Sequence, residues 1–397
     1  MIIRSKAPLR IGLAGGGTDV SPFADIYGGS ILNATINLYA HATIIPNNSN
    51  KIELQALDQG KNQAFNSAKT LPLDGTLDLL KGVYNRIAKD YLEEPLSFTL
   101  QTYVDAPPGS GLGSSSTLVV AIIGAFAHWL KLPLGEYDIA HLAYEIERID
   151  LGLAGGRQDQ YAATFGGFNF MEFYKDDKVI VNPLRVKAKY VNELQHNVVL
   201  FYTGTSRESA TIIDKQAKAI NQQEKNQIDA TLKVKEQSVK MKEALLKGEL
   251  DKIGNILNVG WEYKKLMAEG ITNPDIEKMY QTAINAGAIG GKISGAGGGG
   301  FMFFYCPNNT RFDVIKAISE LDIKVTWKGK GINEKAYDND GRLIIACDKS
   351  YYRPLEVNTL LGSSKKAFKK LKWKPKTKVQ GLIKEMIEEE MKLISKK

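Results

Sequence analysis

Glycine and hydroxyl residues crowd the stretch PPGSGLGSSS, from Pro107 to Ser116, immediately before the apolar run TLVVAIIGAFAHWL. That run carries no charge before Lys131 and predicts a buried helix, and the preceding LSFTLQTYVDAP predicts a strand. The first amides of a helix have no intrahelical partner and the helix dipole adds positive charge, so this turn can bind a phosphate. Glycines let the backbone approach the ligand, and serine hydroxyls can contact phosphate oxygens or Mg²⁺. A serine-capped helix after an ordinary turn is the alternative.

Two further glycine clusters occur in the chain, GLAGGGTD at Gly12–Asp19 and SGAGGGGF at Ser294–Phe301. Either cluster alone is typical of a tight turn or of close backbone packing. A nucleotide carries several phosphates and a co-substrate can carry another, so the three clusters together favour phosphoryl transfer. The Gly-Lys-Ser/Thr ending of a Walker loop is absent from Pro107–Ser116, which excludes the lysine clamp of that loop.

The elements that must position these clusters are mixed strands and helices. Residues 1–60 contain short β-branched runs separated by glycine and asparagine, which predict strands. TLDLLKGVYNRIAKDYL and LGEYDIAHLAYEIERIDLG have the helical spacing of apolar residues, and residues 209–246 predict one long polar helical stretch. No regular strand–helix–strand repeat occurs, so the pattern predicts an α+β fold rather than a doubly wound one.

Composition limits the class of protein. The chain has 397 residues with 43% hydrophobic content, enough for two domains. Its two cysteines, Cys306 and Cys347, fit a reduced compartment, and its four scattered histidines lack the spacing of a metal cluster. We expect a cytoplasmic protein without a membrane partner, because the chain shows neither a signal peptide nor an apolar stretch of spanning length.

The net charge of +8 belongs to the C-terminal end of the chain. Residues from Lys349 to Lys397 include 14 Lys and Arg against 5 Asp and Glu; the whole chain has 52 and 44, which leaves 38 and 39 for residues 1–348. The body of the protein is therefore close to neutral, and we expect no nucleic-acid partner for it.

The glycine clusters resemble the motifs of a known family. PPGSGLGSSS is similar to the second motif of the GHMP kinases (galactokinase, homoserine kinase, mevalonate kinase and phosphomevalonate kinase), KAPLRIGLAGGGTDV to the first and KISGAGGGGFM to the third. They stand in the family's order within residues 1 to about 338. The resemblance implies a two-domain α+β fold: a ribosomal-protein-S5-like domain over 1–190, which binds ATP and the sugar, and a ferredoxin-like domain over 191–340.

Within this family, RIGLAGGGTDVSPF and GGRQDQYAATFGGFNFMEFY most resemble the bacterial D-glycero-D-manno-heptose 7-phosphate kinases. This resemblance implies ATP-dependent phosphorylation of the anomeric C1 hydroxyl to the 1,7-bisphosphate, in the synthesis of GDP-heptose for cell-surface polysaccharide. A GHMP kinase for fucose, galactose or mevalonate is an alternative, and so is a non-catalytic binding protein of the same fold. The presence of Arg10, Ser115, Glu147 and Asp159 argues against the last alternative.

The resemblance also implies roles for individual residues. Asp159, in GGRQDQ, would orient or deprotonate the sugar hydroxyl, and Arg10, in APLRIGL, would keep that carboxylate ionised and neutralise charge on the phosphoryl group. Ser115 and Glu147 are implied as Mg²⁺ ligands. A helix-capping or first-turn aspartate and a solvated helix face are the respective alternatives for Asp159 and Glu147. The residues implied in nucleotide binding are Pro108, Gly109, Ser110, Gly111, Leu112, Gly113, Ser114, Ser115 and Ser116.

The resemblance also implies residues that contact the acceptor sugar. Thr18 and Asp19, in GGTDV, would hold substrate hydroxyls, with an Asx turn cap as the alternative for Asp19. The phosphate of the sugar needs cations, for which we expect Arg207, in TGTSRES, and Lys292, beside the third motif. The glycines expected to pack against the phosphate loop and the substrate are Gly295, Gly297 and Gly298.

The C-terminal extension over 341–397 resembles a different family. RPLEV, LLG and LKWKPKT stand in the order found at the C-terminal end of the GDP-mannose 4,6-dehydratases. Those enzymes bind NADP with an N-terminal Rossmann domain, which has no counterpart in this sequence, so we expect no dehydratase activity. About 50 residues are too few for an independent core. A vestigial fusion, a docking element for an enzyme of the GDP-sugar pathway and a basic flexible tail are the three interpretations.

Overall fold

The computed structural model describes residues 1–204 and 209–321 and three later strands, Thr326–Lys328, Lys335–Tyr337 and Leu343–Ala346. Residues 1–322 form one compact unit and residues 323–397 a second. Arg207 lies outside the described residues, and so does the extension over 341–397 apart from Leu343–Ala346. The domain boundary expected at residue 190 falls within a helix, Ala188–Asn197.

Seven strands of the first unit form one mixed sheet. Its longest strand is β2, which pairs with β1 along most of its length, with β6 over its first six residues and with β5 over its last seven. β3 runs parallel to β5, whereas the other pairs are antiparallel. This mixed pairing agrees with the predicted α+β class. The strands are β1 (Ile3–Ala14), β2 (Gly29–Pro46), β3 (Lys51–Ala56), β4 (Lys61–Asn66), β5 (Phe98–Val104), β6 (Phe168–Phe173) and β7 (Val179–Pro183).

The apolar run after the serine-rich turn forms helix α3 (Ser114–Leu130), which packs on β1 and β2. Its side chains from Ser116 to Ile123 are buried, and its Phe126 ring meets Phe98 of β5 edge-on at 5.4 Å between centroids. Burial of aromatic and aliphatic surface on this scale stabilises the helix position by several kcal/mol, at roughly 25 cal/mol per Å². The core thereby fixes the N-terminus of α3. Two shorter helices precede it, α1 (Phe23–Tyr27) and α2 (Asp78–Tyr91).

Helix α4 (Glu136–Glu145) runs into a single π-helical turn, Ile146–Asp150. The amide of Leu151 donates to the carbonyl of Ile146 at 3.0 Å, the i to i−5 pattern of a π-turn. A loop then leads to helix α5 (Gln158–Phe165). π-Turns widen a helix locally and are frequent at functional sites, so this segment marks a place where one side chain is displaced from regular helical spacing.

The rest of the first unit contains a three-stranded antiparallel sheet, ordered β8-β10-β9, and six helices among the described residues. The single helical stretch predicted over 209–246 is two helices, because Gln223 adopts a left-handed φ of 54° that ends the first of them. These elements are α6 (Ala188–Asn197), β8 (Val198–Tyr202), α7 (Ser209–Asn221), α8 (Lys225–Lys247), α9 (Asp251–Met267), α10 (Pro274–Asn285), β9 (Gly290–Ile293), β10 (Phe301–Tyr305) and α11 (Arg311–Ser319).

The second unit contains the three later strands, β11 (Thr326–Lys328), β12 (Lys335–Tyr337) and β13 (Leu343–Ala346), which pair antiparallel in sequence order. Among the residues that the structure describes, no helix is long and apolar enough to cross a membrane.

Candidate active site

A cavity of about 320 Å³ is lined by residues from all three glycine clusters. The second and third clusters meet backbone to backbone, because a Cβ atom on Gly111 would overlap the carbonyl oxygen of Ser294 and one on Gly295 would lie 2.9 Å from the Cα of Gly111. Gly111 and Gly295 also have positive φ angles, of 76° and 82°. Glycine is therefore required at both positions by space and by backbone conformation.

The N-terminal turn of α3 forms one end of the cavity. The residue before the helix is Gly113, with a left-handed φ of 78°, and no side chain caps the helix start. The interpretation of the stretch as a serine-capped helix is therefore wrong. Ser114, Ser115 and Ser116 of the first turn all line the cavity, and the amides of this turn have no intrahelical partner. Of the other residues expected to bind the nucleotide, Gly109, Gly111 and Gly113 also line the cavity.

Three residues of the same stretch lie outside that lining. Ser110 and Leu112 are fully buried, and their carbonyl groups accept the amides of Phe301 and Arg10 at 2.8 and 3.1 Å. They hold the loop against β10 and β1 rather than contacting a ligand, so a direct role in nucleotide binding does not fit their position. Pro108 also lies outside the lining.

An ion pair between Arg10 and Asp159 lies directly beside the start of α3. The Arg10 Nε atom donates to Asp159 Oδ1 at 2.7 Å, and Arg10 Nη1 donates to the Gly111 carbonyl at 2.6 Å. A Cβ atom on Gly113 would lie 3.2 Å from the Asp159 carboxyl carbon. Arg10 is 3% exposed, whereas the Asp159 side chain is 22% exposed and lines the cavity. The pair thus lies on the cavity wall beside the start of α3.

The π-turn places Glu147 against the serines of α3. Ser115 Oγ donates to Glu147 Oε1 at 2.8 Å, and Gln160 Nε2 donates to Glu147 Oε2 at 2.5 Å. Glu147 is 1% exposed, so the interpretation of this residue as part of a solvated helix face is wrong. Gln160 also donates to Ser116 Oγ at 3.1 Å and joins α5 to this group. Gln160 could not be predicted from the sequence, because its position in a helix gives no signal of a buried polar role.

The donor set at Ser115 and Glu147 suits a hard cation. A hydroxyl and a carboxylate oxygen lie together, and oxygen ligands of this kind are those that Mg²⁺ takes beside phosphate and water. Among the described residues there is no group of three or more His, Cys, Asp or Glu side chains able to hold a metal. A cation here would thus complete its coordination with nucleotide phosphates and water, which is the usual arrangement in phosphoryl transfer.

Asp19 joins the first glycine cluster to the start of α5. Its Oδ2 atom accepts the amides of Arg157 and Gln158 at 2.8 and 3.0 Å, and a Cβ atom on Gly156 would overlap its carboxylate. Asp19 therefore caps a distant helix rather than its own turn, and it also lines the cavity. Thr18 does not line the cavity. Its hydroxyl is fully buried and bridges the amide and carbonyl of Ser30, so a substrate contact does not fit its position.

Two buried lysines flank the same glycine cluster. Lys292 Nζ donates to the Gly12 carbonyl at 2.8 Å, and Lys264 Nζ donates to the Gly16 carbonyl at 3.1 Å. Burial lowers the pKa of Lys264 to about 8, with Asp19 acting in the opposite sense, and burial likewise holds the pKa of Lys292 well below its usual range. Only Lys264 of the two lines the cavity, so Lys292 does not fit the expected role of a phosphate-binding cation there.

Two glutamines with unpaired polar atoms complete this end of the cavity. Gln158 Oε1 and Gln216 Nε2 are buried without a hydrogen-bond partner in the described structure, and both residues line the cavity. Neither glutamine, nor Lys264, could be predicted as a site residue from the sequence, because a glutamine or lysine on a helix normally indicates a solvated face. Gly297 and Gly298 lie away from the cavity against Ile271, whose carbonyl accepts the Gly298 amide at 2.8 Å. They shape the third cluster rather than contact a substrate.

Comparison with known proteins agrees with this geometry. The profile of the GHMP kinase N-terminal domain matches residues 78–167, and that of the GHMP kinase C-terminal domain matches residues 241–323. A D-glycero-alpha-D-manno-heptose 7-phosphate kinase of Campylobacter jejuni is 51% identical over 316 residues, which are 80% of this chain and 93% of the relative. The chain therefore belongs to the GHMP kinase family, as its motifs predict.

Solved structures of kinases also share the fold of this chain. A D-glycero-D-manno-heptose 1-phosphate kinase from Bacteriodes thetaiotaomicron has 49% sequence identity and a TM-score of 0.69, over 81% of this chain and 93% of that one. A Lactococcus lactis galactokinase structure matches with a TM-score of 0.65 at 20% identity, which supports the fold alone. The predicted GHMP kinase fold is confirmed, and the chain is a kinase of the sugar-kinase type, for which ATP is the expected phosphoryl donor.

The profile of GDP-mannose 4,6-dehydratase matches residues 308–386. The predicted resemblance of the C-terminal extension to that family is therefore confirmed. The match begins just before α11 and runs mostly through residues outside the described part of the chain.

Proposed function

We propose that this protein transfers the γ-phosphoryl group of Mg²⁺-ATP to the anomeric C1 hydroxyl of D-glycero-D-manno-heptose 7-phosphate. The observation that carries the proposal is the Arg10–Asp159 pair held against the uncapped start of α3. High identity to a named heptose 7-phosphate kinase over most of both chains supports the choice of sugar. The expected nucleotide domain, 1–190, contains the pair and the phosphate-binding helix.

The residues of the chain would act chiefly by positioning and by electrostatics. Asp159 Oδ1 is engaged by Arg10, which leaves Oδ2 toward the cavity to accept a hydrogen bond from the acceptor hydroxyl. Arg10 stabilises the negative charge that develops during transfer, and it is already fixed by its bonds to Gly111 and Asp159. The amides of Ser114–Ser116 hold the phosphates of the donor in reach of the hydroxyl.

Mg²⁺, when bound, supplies charge neutralisation of the nucleotide phosphates. Ser115 and Glu147 would hold it, and Gln160 would orient the Glu147 carboxylate by donating to its second oxygen. Glu147 is almost fully buried, and at hydrogen-bonding distance its oxygens accept from the neutral donors Ser115 and Gln160, while the Arg148 guanidinium lies 3.9 Å from Oε2. A bound Mg²⁺ would add positive charge on the Ser115 side of this carboxylate.

A coupled ADP-release assay with Mg²⁺-ATP and a panel of acceptors tests the proposal. The panel contains heptose 7-phosphate, heptose 1-phosphate, free heptose, galactose, fucose and mevalonate. We expect the highest kcat/KM with heptose 7-phosphate and a product whose two phosphates are assigned to C1 and C7 by phosphorus NMR. Turnover of mevalonate, or no turnover of any sugar by folded protein, would overturn the assignment.

Heptose 1-phosphate is the second candidate acceptor. The solved relative at 49% identity is named a heptose 1-phosphate kinase, whereas the Campylobacter relative is named a heptose 7-phosphate kinase. Both names specify a heptose and differ in the position of the phosphate. Preferential use of heptose 1-phosphate in the panel would select this candidate.

A further inference from the structure

Two buried side chains that line the cavity, Lys264 and Gln216, carry hydrogen-bond donors with few partners. Lys264 Nζ donates to the Gly16 carbonyl and to no other atom of the described residues, and Gln216 Nε2 donates to none. A Cβ atom on Gly17 would lie 3.8 Å from Lys264 Nζ and 3.4 Å from Gln216 Oε1, so the two side chains meet over this glycine. Lys264 is 1% exposed and Gln216 is 6% exposed.

The charge of Lys264 is not balanced by an ion pair. Among the described residues, no carboxylate lies within 4.0 Å of Lys264 Nζ, although Asp19 is close enough to raise its pKa. A buried cation without a partner is costly, and so is a buried amide without one. Both costs are removed by a ligand that presents several acceptor oxygens and negative charge.

We propose that Lys264 and Gln216 bind the phosphate that the acceptor sugar already carries. This inference rests on the proposed function and adds the residues that select a phosphorylated sugar over a free one. Asp19 and the unpaired Oε1 of Gln158 also belong to residues that line the cavity, and these acceptor oxygens suit sugar hydroxyls. The cavity therefore offers donors for the phosphate and acceptors for the polyol.

Lys292 is the natural comparison for Lys264. Both lysines are buried and each donates to a carbonyl of the first glycine cluster, but Lys292 does not line the cavity. A role limited to supporting that cluster would be shared by the two residues. A role in binding the phosphate would belong to Lys264 alone.

The test compares kcat/KM for heptose 7-phosphate with kcat/KM for free heptose in the full-length protein. We expect Lys264→Met and Gln216→Glu to lower this ratio by about 10- to 100-fold, the scale of a lost hydrogen bond to a charged group. Lys292→Met should leave the ratio within threefold of wild type, even if it lowers both kcat/KM values. An unchanged ratio in folded Lys264→Met and Gln216→Glu would overturn the inference.

A binding measurement without nucleotide gives a second readout. We expect heptose 7-phosphate to raise the Tm of the wild-type protein more than free heptose does, and Lys264→Met to lose that difference while Lys292→Met keeps it. A difference that persists in Lys264→Met would place the phosphate elsewhere. Failure of the proposed function is distinguishable, because the wild-type protein would then turn over neither sugar.

Discussion

The two carboxylate oxygens of Asp159 have different surroundings. The proposed contact with the acceptor hydroxyl depends on Oδ2, which Arg10 leaves free. Arg10 occupies Oδ1, while Oδ2 lies 3.3 Å from the space that a Cβ on Gly113 would fill and has no hydrogen-bond partner among the described residues. The residue before Asp159 receives the cap from Asp19, so the start of α5 does not need the Asp159 side chain as a cap. This arrangement leaves Asp159 available to an acceptor hydroxyl.

Asp159→Asn tests that role. The amide retains the shape of the side chain and can still accept from Arg10, but it lacks the charge and basicity to take a proton, so we expect kcat to fall by at least about 100-fold. Steady-state kinetics at saturating sugar and ATP measure the change. Asp138→Asn is a matched control, because Asp138 is also a first-turn aspartate and accepts the Gly135 amide at 2.8 Å, outside the cavity. A kcat within a few-fold of wild type in folded Asp159→Asn contradicts the assignment.

Lys264 makes acceptor binding depend on pH. Its pKa is lowered to about 8 by burial, so the cation is present below pH 8 and is lost above it; Asp19 opposes this shift, and Arg10 adds to it. Lys292, which is also close by, has a strongly lowered pKa. The sugar phosphate itself is already a dianion in this range, because its second pKa is about 6.

We therefore expect the KM for heptose 7-phosphate to rise up to about tenfold per pH unit above pH 8, with kcat changing less. Initial rates between pH 7 and 9.5 measure this dependence. The Lys264→Met protein should have a high KM that stays flat over the same range. A flat KM in the wild-type protein would show that Lys264 is not the group that binds the phosphate.

At the scale of elements, the π-turn depends on a guanidinium from a neighbouring helix. Arg86 of α2 donates to Glu145 at 2.6 Å and to Asp150 at 3.0 Å, the residues that flank and end the turn carrying Glu147. Arg86 also pairs with Asp90, and its side chain is 18% exposed. These contacts link both ends of the turn to α2. They therefore hold the turn in the position at which Glu147 accepts a hydrogen bond from Ser115.

Arg86→Met should loosen that turn. We expect the Mg²⁺ concentration for half-maximal activity to rise about three- to tenfold, with a smaller change in the KM for the sugar, because the displaced carboxylate is the one facing the cation site. Mg²⁺ activation curves at fixed ATP measure the effect, and Arg86→Lys should restore part of it. Lys247→Met removes an exposed ion pair with Glu243 and should have no effect. Equal activation curves for Arg86→Met and wild type would limit Arg86 to a structural role.

Elements with a clear pattern of apolar residues or a clear glycine-rich turn could be predicted from the sequence. The apolar run of α3 and the β-branched runs of β2 have few structural alternatives, and the glycine clusters mark the loops that meet at the cavity. The π-turn could not be predicted, because EIERID fits a regular helix and the extra residue is accommodated through contacts with α2 and α5. Lys264 was missed for a related reason: its burial depends on packing against Gly16, which is 248 residues distant in sequence.

For the whole molecule, the site belongs to the first compact unit. Every side chain assigned to the donor, the cation or the acceptor lies between Arg10 and Ala296, whereas the dehydratase-like segment extends to residue 386. The C-terminal extension also carries the excess positive charge of the chain. The kinase chemistry and the basic segment are thus encoded in separate stretches of sequence, and the expected docking of the extension to an enzyme of the GDP-sugar pathway stays a prediction.

Deletion of residues 351–397 tests whether that separation extends to activity. We expect kcat and both KM values to stay within about threefold of the full chain, because the donors and acceptors of the cavity all come from residues that the deletion leaves in place. The pI should fall as well, since the removed segment carries 13 of the Lys and Arg residues against 5 Asp and Glu. Kinetics on both proteins at equal ionic strength measure the comparison, and circular dichroism establishes that the truncated protein is folded. A folded truncation without kinase activity would mean that the dehydratase-like segment supplies part of the active site, and the cavity formed by the three glycine clusters would then be incomplete as a catalytic unit.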